Sequence, residues 1–228
     1  MKKTKNLDTK TLHALIKKMR EYVTENKQTK INEVLSNRTR QLTVVLENLY
    51  QAHNASAVIR SCDCFGVQDL YVIENSYTFS VNKGVVMGSS KWVDIHRYNE
   101  TDDNTEACLI NLKKQGYKIA ATTLRPGSIP IHEIDLTQKT ALLFGTEEIG
   151  LTETAHELAD EMVYIPMCGF TQSLNISVSA AICLHQLMNT LKSSEINWQL
   201  SEHERLAIEL EWLAKSASNG DKLLNAWV

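Results

Sequence analysis

Two hydrophobic rhythms divide this chain. From Asp8 onward Leu12, Leu15, Ile16, Met19 and Val23 recur at helical spacing on one face, with Lys17, Lys18 and Arg20 elsewhere. A short second helix is expected at Ile31–Leu35, ending near Asn37. From Leu42 the rhythm changes. Leu42–Leu46 is a β-branched, apolar run, as suits a parallel strand buried on both faces. A polar turn through His53 and Asn54 leads to a helix ending near Phe65-Gly66, and Leu70–Ile73 is a second strand. Further strands are predicted at Trp92–Ile95, Tyr117–Thr122, Thr140–Phe144 and Met162–Ile165. Between them fall helices at Asp102–Gln115, stopped by Gly116, and near Thr152–Leu158, with a turn over Leu124–Ser128. Another helix is expected at Ser201–Lys215. Strands alternating with helices predict an α/β fold, a mostly parallel sheet flanked by helices. The pattern divides into a basic helical N-terminal arm (1–40), a main domain (41–192) and a helical tail (193–228).

The stretch Ile165–Gln186 stands apart. Pro166 and Gly169 forbid a regular helix or central strand in its front half. Its back half is amphipathic, with Ile176, Ala180, Leu184, Leu187, Met188 and Leu191 at helical spacing. Gln172, Ser173, Leu174 and Asn175 stand at the start of that helix, where unpaired N–H groups and the positive dipole end point outward. Two readings follow: a helix cap alone, or a binding site fed by an extended loop.

Composition sets bounds on function. The chain has 228 residues, 43% of them hydrophobic and 22% charged, an ordinary globular balance that one large domain accommodates. No lysine-led apolar run suggests a secretion signal and no stretch approaches membrane-spanning length, so a cytoplasmic, membrane-free protein is expected. The five cysteines form no C-x-x-C pair. Zinc on Cys62, Cys64 and His53 has poor spacing, and buried thiols in a reducing compartment, with no metal, are the expectation. The net charge of −3 hides an asymmetry: residues 1–40 carry +7 and the remainder −10. A basic arm on an acidic body points toward nucleic acid, or else is a solvated helix face.

Three loops follow predicted strands, where open α/β sheets bind ligands. In the first, Asn54 precedes Arg60 by six positions on a small, apolar helix segment, and that arginine needs a partner, either Asp63 or something external. The second, Gly145–Gly150, has Leu151-Thr152 where a phosphate-binding loop needs Lys-Ser/Thr, so nucleotide hydrolysis is not expected. Its Glu147 and Glu148 are candidate acid/base groups or solvated carboxylates. The third is the stretch from Ile165.

Taken together, Asn54 with Arg60, then Leu143-Phe-Gly-Thr-Glu147 with Gly150, then Ile165-Pro-Met-x-Gly-x2-Gln-Ser173-Leu-Asn175-x-Ser177 resemble, in order and spacing, the three motifs of the SPOUT superfamily of RNA methyltransferases. The similarity is greatest to the TrmH-type tRNA guanosine-18 2′-O-methyltransferases. Gly88-Ser-Ser-Lys-Trp92 also looks like a family segment, and the resemblance spans roughly residues 38–192. The arm is longer than in short family members, and the tail after Leu191 does not align.

That resemblance implies a deep C-terminal trefoil knot, a departure from the unknotted-chain rule. It also implies a homodimer packed through the helix after Asn175, though a buried intrachain face would give the same apolar stripe. It implies S-adenosyl-L-methionine as cofactor, held by Thr122, Gly145, Ile165 and Leu174. Arg60 takes the catalytic arginine's place, as a base or, given a guanidinium pKa of about 12 or more, as an electrostatic guide for an alkoxide. Asn54, Glu147, Ser173 and Asn175 match positions that arrange it. Arg38, Arg40 and His53 would contact tRNA, the two arginines gripping phosphates. The expected reaction is 2′-O-methylation of a tRNA ribose, at the D-loop guanosine 18. The alternatives are a ribosomal RNA 2′-O-methyltransferase of the same superfamily and a catalytically silent RNA-binding member.

Overall fold

The computed structural model describes residues 4–101 and 103–228, which fall into two compact units. One joins the residues up to Thr39 with Gln199–Val228; the other is Arg40–Trp198. The segments assigned above to an arm and to a tail therefore cluster together.

In chain order, the first unit begins with α1 (Thr9–Arg20) and α2 (Glu25–Leu35). Asp8 caps α1 by accepting from the Thr11 N–H at 2.9 Å, and Leu12, Ile16 and Met19 bury one face. The second helix starts six residues before the expected Ile31, because its first two turns are polar and carry no apolar repeat.

The second unit alternates strands and helices: β1 (Leu42–Glu47), α3 (Ala52–Phe65), β2 (Asp69–Ile73), α4 (Lys83–Val86), β3 (Asp94–Tyr98), α5 (Asn104–Lys114), β4 (Lys118–Thr122), β5 (Ile129–Pro130), β6 (Thr140–Phe144), α6 (Glu153–Leu158), β7 (Glu161–Tyr164) and α7 (Ile176–Lys192). Two helices return to the first unit, α8 (Glu202–Ser216) and α9 (Gly220–Trp227). A capping box of Ser201 and Glu204 starts α8. There α1 and α8 meet through an Arg20–Glu209 ion pair, and Thr4, in a 3-10 turn before α1, hydrogen-bonds Glu211 of α8.

The seven strands lie in the order β3-β2-β1-β6-β4-β7-β5, and every pairing is parallel. Strand period two explains the unbroken apolar runs. Val44 and Leu46 of β1, with Leu142 and Phe144 of β6, pack beneath α3 and α7; Val45, Ala141 and Leu143 pack on the other face against α5. In α7 the stripe Ile176, Ala180, Cys183, Leu184, Leu187, Met188 and Leu191 is buried on this core, while Val178 and Ile182 are exposed. Burying each such aliphatic chain stabilises by about 1.5–3 kcal/mol, enough to hold the helix in place.

Three expectations need adjustment. Strand β3 begins at Asp94, not Trp92, because Ser89–Lys91 form a 3-10 turn and pairing starts at Asp69↔Asp94. The expected start of α5 at Asp102 lies outside the described residues, and Asp103 caps the helix. Strand β5, α4 and α9 were not foreseen; β5 is too short to show a period.

Candidate active site

A cavity of about 540 Å³ opens at the carboxyl ends of β4, β6 and β7. Thr122, Gly145, Glu147, Ile165, Ser173 and Leu174 all line it, so the four expected cofactor positions converge. Local chemistry explains the shape. The loop after β6 doubles back on itself through Thr146 and Gly150, whose backbone groups exchange two hydrogen bonds of 3.0 Å. At Gly145 an added Cβ would lie 2.2 Å from the Gly150 backbone, so no side chain fits there. The Thr122 hydroxyl donates to the Leu143 carbonyl at 2.9 Å and ties β4 to β6.

Beside the cavity, the first turn of α3, the loop after β6 and the start of α7 meet in one hydrogen-bond network; His53 and Asn54, expected in a turn, lie inside α3, which Gln51 precedes as its cap residue. Glu147 Oε1 accepts from Asn175 Nδ2 at 2.6 Å, from Asn54 Nδ2 at 3.0 Å and from the Ile176 N–H at 3.4 Å. Asn175 Nδ2 also donates to Asn54 Oδ1 at 3.2 Å, and Asn175 Oδ1 accepts from the Ser177 N–H at 2.9 Å. Asn175 is therefore both the cap of α7 and a member of the network. Glu147 is held by neutral amides through a single oxygen, and among the described residues Oε2 has no hydrogen-bond partner.

Arg60 is not in this cluster. Six residues beyond Asn54 on α3, it lies about 9 Å further along the axis and on another face. It is exposed, does not line the cavity, and has no hydrogen-bond or ion-pair partner among the described residues. His53 is likewise exposed. The two arginines expected to grip phosphates are engaged within the protein. Arg38 is fully buried, its guanidinium 5.0 Å from the Trp212 ring centre. Arg40 is held by Asp69 at 2.6 Å and Asp94 at 3.1 Å. Exposed cations of the first unit include Lys5, Lys10 and Lys17 instead.

Several contributors carried no sequence signal. Glu47, buried at the end of β1, accepts from the Thr105 hydroxyl at 2.7 Å and from Thr152 N–H and hydroxyl at 2.9 and 2.7 Å. It anchors the chain that leaves the Gly145–Gly150 loop. On the cavity wall, His156 presents a buried Nδ1 without a partner. Burial, and then the nearby Arg125, push its pKa below the usual imidazole value, so it is neutral at neutral pH. Arg125 is itself braced by Glu153 at 3.0 and 2.7 Å. Cys183 also lines the cavity, but burial raises its thiol to about 12, which makes it wall rather than nucleophile.

A cavity at the carboxyl ends of parallel strands, with glycine backbone, two aliphatic side chains and a polar helix start, is the site of an α/β protein for a mixed apolar and polar small molecule. The chain belongs to the SpoU rRNA Methylase family, whose pattern matches residues 41–185. It is 39% identical over 198 residues to the tRNA (guanosine(18)-2′-O)-methyltransferase of Borreliella burgdorferi, covering 87% of this chain and 89% of that one. It is similar in structure to the TrmH/SpoU tRNA modifying enzyme of A. aeolicus, with TM-score 0.74 and 34% identity over 84% of this chain and 96% of that one. The 23S rRNA (guanosine-2′-O-)-methyltransferase RlmB of Vibrio vulnificus stands further off, at 28% identity over 72% of this chain and 66% of that one.

Proposed function

We propose that this chain is an S-adenosylmethionine-dependent tRNA methyltransferase that modifies the 2′-hydroxyl of guanosine 18, acting in the cytoplasm. The observation that carries the reading is the Asn54–Glu147–Asn175 network, which joins the starts of α3 and α7 to the loop after β6 beside one cavity. The tRNA target, rather than rRNA, is supported by the higher identity and fuller coverage of the relatives named for guanosine 18.

The cavity suits the cofactor. Its volume falls within the range of about 300–1,000 Å³ usual for small-molecule sites. Ile165 and Leu174 supply apolar walls for an adenine ring, Gly145 admits close backbone approach, and His156 Nδ1 is a polar atom awaiting a partner. When bound, the cofactor supplies an electrophilic sulfonium methyl group. The protein's part is to hold the ribose in line and steady the charge its oxygen gains. Glu147, fixed through Oε1, orients the hydroxyl with Oε2, and Ser173 and Asn175 position the sugar at the start of α7. Arg60, permanently charged, stabilises the developing alkoxide, and the proton that the hydroxyl gives up passes to Glu147 Oε2.

Because Arg60 is remote from its own cavity, the reading requires a homodimer. Val178 and Ile182 on the outer face of α7 form the contact, and the Arg60 of one copy serves the cavity of the other. With the family reading also goes a trefoil knot in the chain after β6. The test is to incubate the protein with labelled S-adenosylmethionine and full-length tRNA or rRNA, and to map the methylated ribose. Methylation at guanosine 18 is expected; transfer to rRNA alone would overturn the substrate, and no transfer would overturn the activity.

A further inference from the structure

We propose that Tyr50 and Tyr77 form a stacking platform for an unpaired base of the RNA substrate, beside the reacting ribose. This rests on the methyltransferase reading above. Tyr50 follows β1 and Tyr77 follows β2, neighbouring parallel strands, so both stand at the carboxyl end of the sheet with Asn54 four residues further on. Their rings meet edge to face, 5.0 Å between centres at 65°, yet Tyr50 is 74% exposed and Tyr77 42%. A single exposed tyrosine is ordinary; two in contact on a clamped backbone are built for something.

The clamp is Asn48. Its backbone has φ of 56°, in the left-handed region, which asparagine tolerates better than most residues. Its N–H donates to the Ile73 carbonyl at 2.8 Å, continuing the β1–β2 ladder one step beyond the strands. Its side-chain Oδ1 accepts from the N–H groups of Ser76 at 2.7 Å and Tyr77 at 3.1 Å. The two loops are thus stapled while the rings stay bare. A tyrosine has only two side-chain torsions to freeze, so such rings bind flat groups at small entropic cost.

The occupant follows from the reaction. A ribose can meet a buried methyl donor only if its nucleotide is pulled from the stack, and the base beside it then loses stacking partners. An aromatic face offered four residues from Asn54, which holds Glu147 in place, replaces that stacking without reading sequence. His53, between Tyr50 and Asn54 in sequence, is also exposed.

The test uses the full-length protein, a tRNA transcript carrying 2-aminopurine in its D-loop, and the variants Tyr50→Ala, Tyr77→Ala, Tyr50→Phe and Tyr77→Phe. Stacking should quench the fluorescence of 2-aminopurine with the wild type and both Phe variants, and not with the Ala variants. The Ala changes should raise the KM for tRNA roughly 5- to 150-fold while S-adenosylmethionine affinity and oligomeric state stay at wild-type values. Ala variants that quench and methylate like wild type overturn the platform. So do Ala variants that lose cofactor binding or the oligomer together with RNA, since the pair would then be a structural contact. Should the wild type transfer no methyl group, the functional reading fails, and the quenching comparison still decides the platform.

Discussion

The two ends of the parallel sheet are built from different chemistry. At the amino ends of the strands, Asp69 accepts from His96 at 2.7 Å and from Arg40, which also reaches Asp94. His96 stacks on Tyr71 at 4.5 Å, and the Tyr117 hydroxyl donates to the Arg40 carbonyl at 2.9 Å. Charge there is matched with opposite charge and buried. At the carboxyl ends, the Glu147 carboxylate meets only neutral donors, Asn48 holds a left-handed backbone and two tyrosines stand bare. The amino rim closes its charges on one another; the carboxyl rim mixes satisfied groups, such as Glu47 and the Glu74–Arg97 pair, with bare ones. On the function proposed above, the bare groups are the ones that meet substrate.

That division can be attacked experimentally. The largest effect is expected for Arg60→Ala: kcat should fall by about 10²–10³-fold, the loss typical of one charge-stabilising donor, while cofactor affinity and melting temperature hold. Activity assays beside calorimetry check it, and near-normal turnover would remove Arg60 from the mechanism. Next, Asp69→Ala at the opposite rim leaves Arg40 short of a buried partner and should destabilise by roughly 3 kcal/mol, read by denaturant unfolding. The kcat of the folded fraction should not move; a drop in kcat would show that the rims are coupled.

A smaller, graded effect is expected with acid. Burial alone would raise the Asp69 carboxyl, but His96 and Arg40 outweigh it and the net shift is downward; the Arg97 guanidinium likewise lowers Glu74. A depressed carboxylate contributes stability that is complete above its unfolded pKa, about 3.9–4.3, and lost as pH falls through the folded value. Melting temperature should therefore be flat from neutral pH to about 5 and drop below about 4, and Asp69→Asn should flatten that drop. The smallest effect belongs to the exposed lysines: Lys10→Ala with Lys17→Ala should shallow the salt dependence of tRNA binding by at most about two units of slope.

Where burial follows from pattern, the sequence was a good guide. The unbroken apolar runs Leu42–Leu46 and Thr140–Phe144 could only be central parallel strands, and both are. The cavity walls were legible because glycine, proline and small polar residues mark a backbone that must turn and stay open. Charge was misleading. The +7 balance of residues 1–40 counts cations without saying which face water: at its end Arg38 is buried and Arg40 is partly buried against two carboxylates. Glu47 was missed because a single acid ending an apolar strand looks the same whether solvated or satisfied by three distant donors. The tyrosine platform was missed because its partners are 27 residues apart and meet only through strand pairing.

The pairing of the first and last helices has a consequence for how the chain is made. Thr4 finds Glu211 across 207 residues, and α1 buries its apolar face on α8. On the ribosome α1 emerges long before its partner, with Leu12, Ile16 and Met19 still wet. That face can be covered by α8 only after nearly the whole chain has been made, so during synthesis α1 depends on something else to keep its apolar side from sticking.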